Sequence, residues 1–465
     1  MMQLSQAASL LDARLIGDDV MFNAVSKDTR TIHSGDLYVA LKGERFDGHA
    51  FVAQAADAGA VAALVSDLQN ISLPQLQVTD TRLALGKLAA GWRRQFSGKL
   101  AAITGSNGKT TVKEMCRSIL AHDAGDEHVL STQGNLNNDI GMPLTLLSLR
   151  ADHRFAVIEM GANHVGEIDY LTRIAEPDVA LVNNAAAAHL EGFGSIENVA
   201  RAKAEIYSGL KPQGIAVINL DDNFAPLWLN NCRQHSCRTF SLDSINASVH
   251  TSELRIEADA CHFILHVDGE QQALTLPLPG QHNVMNALAA TAVCSALGVS
   301  INSIAAALSG FVAVGGRLNI RTALQSARLI DDTYNANPRS FHTAMQVLVS
   351  MPGQHWMAMG DMGELGADAA ALHAELGVQA KALGITRLFA TGAASRAAVT
   401  AFGEGASWFA DHASLTAAVK TDISADVVLL VKGSRFMAME QVVNGLLVDT
   451  DNNNKKRSDS HREVN

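Results

Sequence analysis

A chain of 465 residues is longer than one hydrophobic core supports, so about three domains are expected. With 48% hydrophobic residues, 18% charged residues and 36 glycines, it is neither disordered nor collagenous and fits an α/β enzyme with glycine turns between strands and helices. The formal net charge of -11 excludes a general nucleic-acid track, which needs clustered cations, so an anionic substrate must meet local positive sites.

The opening Met1-Met2-Gln3-Leu4-Ser5-Gln6 has no basic stretch leading into an apolar core, and no signal peptide is expected. No membrane span is expected either, because the longest apolar candidate, 287–299, stops short of the roughly 18 to 20 residues a bilayer requires. Cys116, Cys232, Cys237, Cys261 and Cys294 are scattered and odd in number, which fits reduced thiols in the cytoplasm. Cys232, His235 and Cys237 lack a second ligand pair at zinc spacing and are read as structural.

In chain order, residues 1–82 carry short strand-like runs such as 37–41 between Gly-Asp and Gly-Glu turns, the pattern of a small α/β module. From Lys99 the motif of apolar strand, glycine turn and long helix repeats. The runs 100–104, 155–159, 179–182 and 215–219 predict buried parallel strands of a doubly wound domain over 83–314. Beyond Gly315-Gly316-Arg317, a hinge signal, the runs 328–331, 356–360, 387–390 and 427–431 predict a second open α/β sheet, a Rossmann-like domain over 315–449. Residues 450–465 are polar and aperiodic, as in a disordered tail.

The segment Ala101-Ala102-Ile103-Thr104-Gly105-Ser106-Asn107-Gly108-Lys109-Thr110-Thr111 reads as strand, glycine turn and helix start. Glycines let backbone N–H groups converge on phosphate oxygens, Lys109 supplies a point charge for the β and γ phosphates, and the Thr110 hydroxyl suits magnesium. Ile103 stands where the longer phosphate-loop pattern has glycine, so this is a compact Gly-x-x-Gly-Lys-Thr-Thr form.

The strand 155–159 ends in Glu159, the arrangement that brings a magnesium-binding carboxylate beside such a loop. His189 follows the strand 179–182 through an Asn-Ala-rich turn and also falls near the carboxyl ends of the strands, though a lone histidine there is ordinarily structural. Lys203 lies in a helix expected over 196–210, and its own neighbourhood reads as a solvated helix face.

Together these segments resemble the muramyl ligases over nearly the whole chain. The resemblance is carried by the loop 104–111, the run Gly-Asn-Leu-Asn-Asn-Asp-Ile-Gly-Met-Pro-Leu at 134–144, Glu159-Met160-Gly161, the segments 189–195 and 202–206, and Gly-Gln-His-Asn-Val-Met-Asn-Ala at 280–287. In the third domain it is carried by 331–338, 360–366 and 432–435. The run Tyr334-Asn335-Ala336-Asn337-Pro338, with 26–30 and 43–49, is similar to the branch that adds D-alanyl-D-alanine.

The resemblance implies an ATP- and magnesium-dependent ligase whose amino-terminal module binds UDP and whose central domain is the ATPase. Its substrates would be UDP-N-acetylmuramoyl-tripeptide and D-alanyl-D-alanine, joined through an acyl phosphate by a monomer that binds no nucleic acid and enters no membrane. Lys109, Lys203, His189 and Arg317 would be catalytic, with Lys203 carbamoylated and holding magnesium alongside Glu159 and His189. Asn283, Asn286, Arg317 and Asp331 would join the loop residues in holding ATP. Ser26, Thr29, Arg30, Asn138, Asn335 and Asn337 would contact substrate, and Lys432, Ser434 and Arg435 the dipeptide's side. The alternative is another ligase of this type with a different amino acceptor. A nucleotide-switched or motor ATPase lacks its Asn-Lys-x-Asp reader or transporter signature here.

Overall fold

The computed structural model describes residues 1–43, 46–186, 190–313 and 315–447. His189 and the expected tail 450–465 lie outside the described residues.

Three main sheets follow one another along the chain. The first has β1 (Arg14–Ile16), β2 (Ala24–Ser26), β3 (Asp36–Val39), β4 (Ala62–Val65) and β5 (Gln75–Gln77) in the order β1-β5-β4-β3-β2. Helix α1 (Thr81–Arg93) runs from this sheet to the next. At its start Thr81 Oγ1 donates to Ala40 O at 2.9 Å, and at its end Arg93 Nε donates to Ala175 O at 2.8 Å. The helix therefore spans the boundary expected at 82/83.

The second sheet begins with β6 (Lys99–Thr104), which leads into α2 (Lys109–Ala124), then β7 (Val129–Ser131) and β8 (Phe155–Glu159). It continues through α3 (Glu167–Ala175), β9 (Val179–Val182), α4 (Ile196–Ala204), β10 (Ile215–Asn219) and β11 (Ser236–Ser241). These strands are parallel, and 100–104, 155–159 and 179–182 are buried throughout, which is why they read as unbroken apolar runs.

The sequence reading did not anticipate three further strands, β12 (Val249–Ile256), β13 (Cys261–Val267) and β14 (Glu270–Leu276), which complete a nine-stranded sheet in the order β7-β8-β6-β9-β10-β11-β12-β13-β14. β12 pairs antiparallel with β13, and β13 with β14. In β13, Cys261, Phe263, Leu265 and Val267 are buried and alternate with half-exposed residues, as in a sheet with one wet face. Asp268 and Gly269, both at positive φ (50° and 90°), close the hairpin with β14. Helix α5 (Gln281–Ala296) packs on this sheet's inner face.

The third sheet has β15 (Asn319–Thr322), β16 (Arg328–Asp332), β17 (Gln354–Met359), β18 (Arg387–Thr391), β19 (Ala406–Phe409) and β20 (Val427–Lys432) in the order β15-β16-β20-β17-β18-β19. Only the edge strand β15 is antiparallel. Helix α6 (Pro338–Ser350) follows β16, starting at the Asn-Pro step that presets a helix amino terminus.

Candidate active site

In the central sheet β6 lies between β8 and β9, and the chain leaves the carboxyl ends of all three strands into one crevice. Such crevices hold ligands in open α/β sheets. The crevice opens into a cavity of about 1580 Å³ whose far wall comes from the third domain. Lys109, Lys203, Arg317, Arg339, Lys432 and Arg435 line it together with carboxylates that include Glu159, Glu167 and Asp332, so cations and acids meet on its wall.

The loop after β6 turns first at Gly105 (φ 152°), because Ile103 is buried inside the strand and its carbonyl accepts from Met160 N at 2.8 Å. Gly108 has φ 78°, and a Cβ there would stand 2.4 Å from Asn286 Oδ1 and 2.7 Å from Asn183 Nδ2. Only glycine fits. Lys109 Nζ folds back to donate to Gly105 O at 2.7 Å. Burial lowers the Lys109 pKa, Glu159 opposes that shift, and Arg317 adds to it.

Thr110 Oγ1 joins three elements: it donates to Glu159 Oε2 at 3.0 Å and accepts from Arg317 Nη2 at 2.9 Å. Glu159 is 2% exposed, and its other oxygen, Oε1, accepts from Asn137 Nδ2 at 2.8 Å. Arg317 reaches this point from beyond the glycine pair, with its guanidinium 3.9 Å from the centroid of the Tyr334 ring.

Lys203 corrects the solvated-face reading, for it is 2% exposed and lines the cavity. The helix around it is also shorter than expected, since α4 ends at Ala204 and a 3-10 turn, Glu205–Gly209, follows. Val199, Ala200, Ala202 and Ala204 are buried with Lys203, so this end of the helix has little wet face. Burial first, then the charge of Lys109, pushes the Lys203 pKa down to about 7.

The third domain meets the phosphate loop directly. Asn337 Oδ1 caps α6 by accepting from Ser340 N at 2.8 Å, while its Nδ2 donates to Asn107 Oδ1 at 2.8 Å. The segment carrying Asn337 is held from below. Lys432 Nζ contacts Asp332 Oδ2 at 2.5 Å and donates to Asn335 O at 2.9 Å, and Ser434 Oγ donates to Ala336 O at 3.2 Å. Burial lowers the Lys432 pKa against the pull of Asp332.

Of the remaining sequence-predicted residues, Ser106, Asn107, Thr111, Asn138, Asn283, Asn286 and Asn335 line the cavity. Asp331 bonds to Thr333 Oγ1 at 2.7 Å, and its neighbour Asp332 is the one on the cavity wall. Arg435 lines the cavity while pairing with Glu440 at 2.9 Å. Ser26, Thr29 and Arg30 lie apart in the first module, where Arg30 pairs with Asp28 and Ser26 Oγ bonds to Thr31 Oγ1 at 3.2 Å.

Sequence reasoning missed Asn183 and Asn184. Asn183 Nδ2 donates to Asn107 O at 2.9 Å and to Asn286 Oδ1 at 3.3 Å, and Asn184 Oδ1 accepts from Asn107 N at 2.9 Å. The available signal was a polar pair directly after an apolar strand. Among the described residues, Asn107 Nδ2, Asn183 Oδ1, Arg317 Nε and His282 Nε2 are buried without a hydrogen-bond partner. The unpaired donors on Asn107 and Arg317 beside a glycine cradle suit an anionic ligand such as a nucleotide, and the oxygens there that suit a magnesium ion are those of Thr110 and Glu159.

Comparison with known proteins settles the family. The chain matches the Mur ligase middle domain over residues 103–294, the Mur ligase glutamate ligase domain over 316–435, and the Mur ligase family catalytic domain over 22–93. It is 46% identical over 445 residues to the UDP-N-acetylmuramoyl-tripeptide--D-alanyl-D-alanine ligase of Escherichia coli K12, covering 95% of this chain and 98% of the relative.

The chain belongs to the Mur ligase family.

The Haemophilus influenzae protein of the same name is 42% identical to this Mur ligase, with 95% of this chain and 97% of the relative covered. A crystal structure of MurF from Acinetobacter baumannii superimposes with a TM-score of 0.87 at 38% identity, covering 95% of this chain and 97% of that one. MurF from Thermotoga maritima in complex with ADP gives 0.79 at 27% identity, covering 91% and 96%.

Proposed function

We propose that this Mur ligase joins D-alanyl-D-alanine to UDP-N-acetylmuramoyl-tripeptide at the expense of ATP, forming the pentapeptide precursor of peptidoglycan. The observation that carries this reading is the Asn337–Asn107 bond. It sets the Tyr334 to Pro338 segment, the run similar to the D-alanyl-D-alanine-adding branch, against the phosphate loop. The relatives at 46% and 42% identity carry this activity in their names.

The chemistry follows from an unfavourable equilibrium. A carboxylate does not condense with an amine in water, so it must first be activated. The tripeptide's terminal carboxylate oxygen attacks the γ-phosphorus of ATP, the β–γ bridging bond breaks and ADP leaves. The neutral amine of the dipeptide then attacks the acyl phosphate carbon, the C–O bond breaks, phosphate leaves, and the nitrogen gives up one proton.

The loop amides at 105–111 and Lys109 hold the phosphates, and Arg317 faces the charge that develops at the γ-phosphate. Asn283 and Asn286 hold the rest of the nucleotide, and Asp331, which is off the cavity wall, contributes by fixing Thr333 beside Asp332. Magnesium, when bound, screens the repulsion between the attacking carboxylate and the phosphate. Thr110, Glu159, His189 and a carbamoylated Lys203 would hold it. Ser26, Thr29 and Arg30 bind the UDP end, while Asn138, Asn335, Asn337, Lys432, Ser434 and Arg435 serve the peptide side. Lys432 and Ser434 do so by supporting the 335–336 carbonyls.

The three domains of this reading are 1–82, 83–314 and 315–449. The ligase acts as a monomer in the cytoplasm. No helix among the described residues is long and apolar enough to cross a membrane.

An acceptor panel scored by phosphate release tests the function. Release should depend on D-alanyl-D-alanine together with the muramoyl-tripeptide, and release driven instead by diaminopimelate or glutamate would refute the assignment. Asn337→Ala removes both the cap of α6 and the bond to Asn107, so it should cost about 1 kcal/mol of stability. It should also raise the KM for the dipeptide more than that for ATP, measured by steady-state kinetics.

A further inference from the structure

Lys113 lies one helical turn past Lys109 in α2, is 1% exposed, and stays off the cavity wall. Its Nζ donates to Thr132 O at 2.6 Å and pairs with the Glu114 carboxylate. Burying an ammonium for packing alone is costly, and methionine would fill the same space without that cost. What lysine adds is a charged hydrogen bond to one backbone carbonyl, at the residue that follows β7.

That residue connects directly to the site. Thr132 is fully buried; its N–H donates to Val157 O at 3.1 Å and its Oγ1 accepts from Glu159 N at 2.9 Å. Five residues on, Asn137 bonds to Glu159 Oε1, and its carbonyl accepts from Gly161 N at 2.8 Å. A Cβ at Gly161 would lie 2.9 Å from Asn137 Oδ1, so the loop sits tightly against the end of β8. The contacts close a ring from Thr110 along α2 to Lys113, across to Thr132, along the loop to Asn137, and through Glu159 back to Thr110.

We propose that Lys113 and Asn137 are positioning residues that brace the loop 132–138 so that Glu159 presents one fixed carboxylate oxygen beside Thr110. This rests on the reading that Glu159 and Thr110 hold the magnesium ion of the nucleotide. Neither residue touches the reacting atoms. Lys113 acts through the loop, and Asn137 acts by occupying Oε1 so that only Oε2 faces the phosphate loop. Outer partners of this kind set the affinity for the ion more than the affinity for the nucleotide.

The test is ADP binding by calorimetry across a magnesium titration, in the whole enzyme, with amide hydrogen exchange read on 132–138. Lys113→Met should raise the magnesium midpoint about tenfold or more, leave magnesium-free ADP affinity within about twofold, and speed exchange in the loop about tenfold. Thr132→Val keeps the side-chain shape, removes the acceptor for Glu159 N, and should shift the midpoint in the same direction, so the proposal stays testable if Lys113→Met does not fold.

Arg93→Met is the comparison. Arg93 is a similarly buried cation donating to the Ala175 and Glu176 carbonyls at 2.8 and 3.0 Å, with none of its hydrogen-bond partners in the loop, and its loss should lower melting temperature without moving the magnesium midpoint. A wild-type midpoint and wild-type loop exchange in both Lys113→Met and Thr132→Val would overturn the proposal. If ADP binding by the unaltered enzyme ignores magnesium while Lys113→Met still speeds loop exchange, the metal assignment of Glu159 and Thr110 fails and the brace stands.

Discussion

Lys109→Met should reduce pentapeptide formation by about a thousandfold or more while leaving the fold intact. The first chemical step brings a carboxylate against a triphosphate, and a preorganised cation at the developing charge contributes on this scale. Lys109 is already aimed at the loop, with its Nζ on Gly105 O at 2.7 Å, and needs only to swing from a carbonyl to a phosphate oxygen. The folded protein gains little net stability from the charge, because burial disfavours it and Arg317 repels it while Glu159 only partly offsets them. Thermal melting without nucleotide should therefore be unchanged or slightly higher in Lys109→Met, whereas the melting shift produced by ATP should largely vanish. A variant that turns over normally would refute the role of the loop.

Lys203→Ala should be nearly inactive, about a thousandfold down in kcat, and partly restored by formate, acetate or propionate. An ammonium here would repel magnesium. The side chain is buried, and its pKa is pushed down to about 7, so near neutral pH much of it is the neutral amine, whose nitrogen attacks the carbon of carbon dioxide and gives up a proton. The resulting carbamate is anionic, and Lys203 in that form would help Glu159 to hold the metal. Added short carboxylates would replace that anion in the space left by alanine. Depleting dissolved carbon dioxide should lower wild-type activity, but not that of the acetate-rescued variant. Full activity of Lys203→Ala without any additive would exclude the carbamate.

The parts of this site that could be read in advance are those whose signal is local. An apolar strand that ends in glycine and lysine, or in a single glutamate, announces Lys109 and Glu159 because strand periodicity and terminal residue lie in one short window. Lys203 could not be read that way. Its flanking alanines suit either a wet or a dry helix face, and burial depends on what packs around α4 in three dimensions. Asn183 and Asn184 carry neither charge nor glycine, and their importance follows from β9 pairing beside β6, a strand order no local pattern encodes. The antiparallel extension was legible in principle, since β13 alternates cleanly and Asp268-Gly269 is a strong hairpin turn. Its alternation differs from the continuous apolar runs that mark the parallel strand-helix repeats.

The bond from Asn337 to Asn107 shows a further limit. Asn before Pro predicts a helix cap, and α6 does begin there, but the second hydrogen bond of the same amide crosses 230 residues of chain. The cap was local information. The contact that ties this segment to the phosphate loop was not.

The most direct check is the stoichiometry of a single reaction. Purified protein, given muramoyl-tripeptide and D-alanyl-D-alanine, should make one pentapeptide and release one phosphate for each ATP consumed, and should make none when nucleotide is withheld. Equal product in the absence of any nucleoside triphosphate would contradict the account, because the cradle around Lys109 would then have no part in the joining of the two peptides.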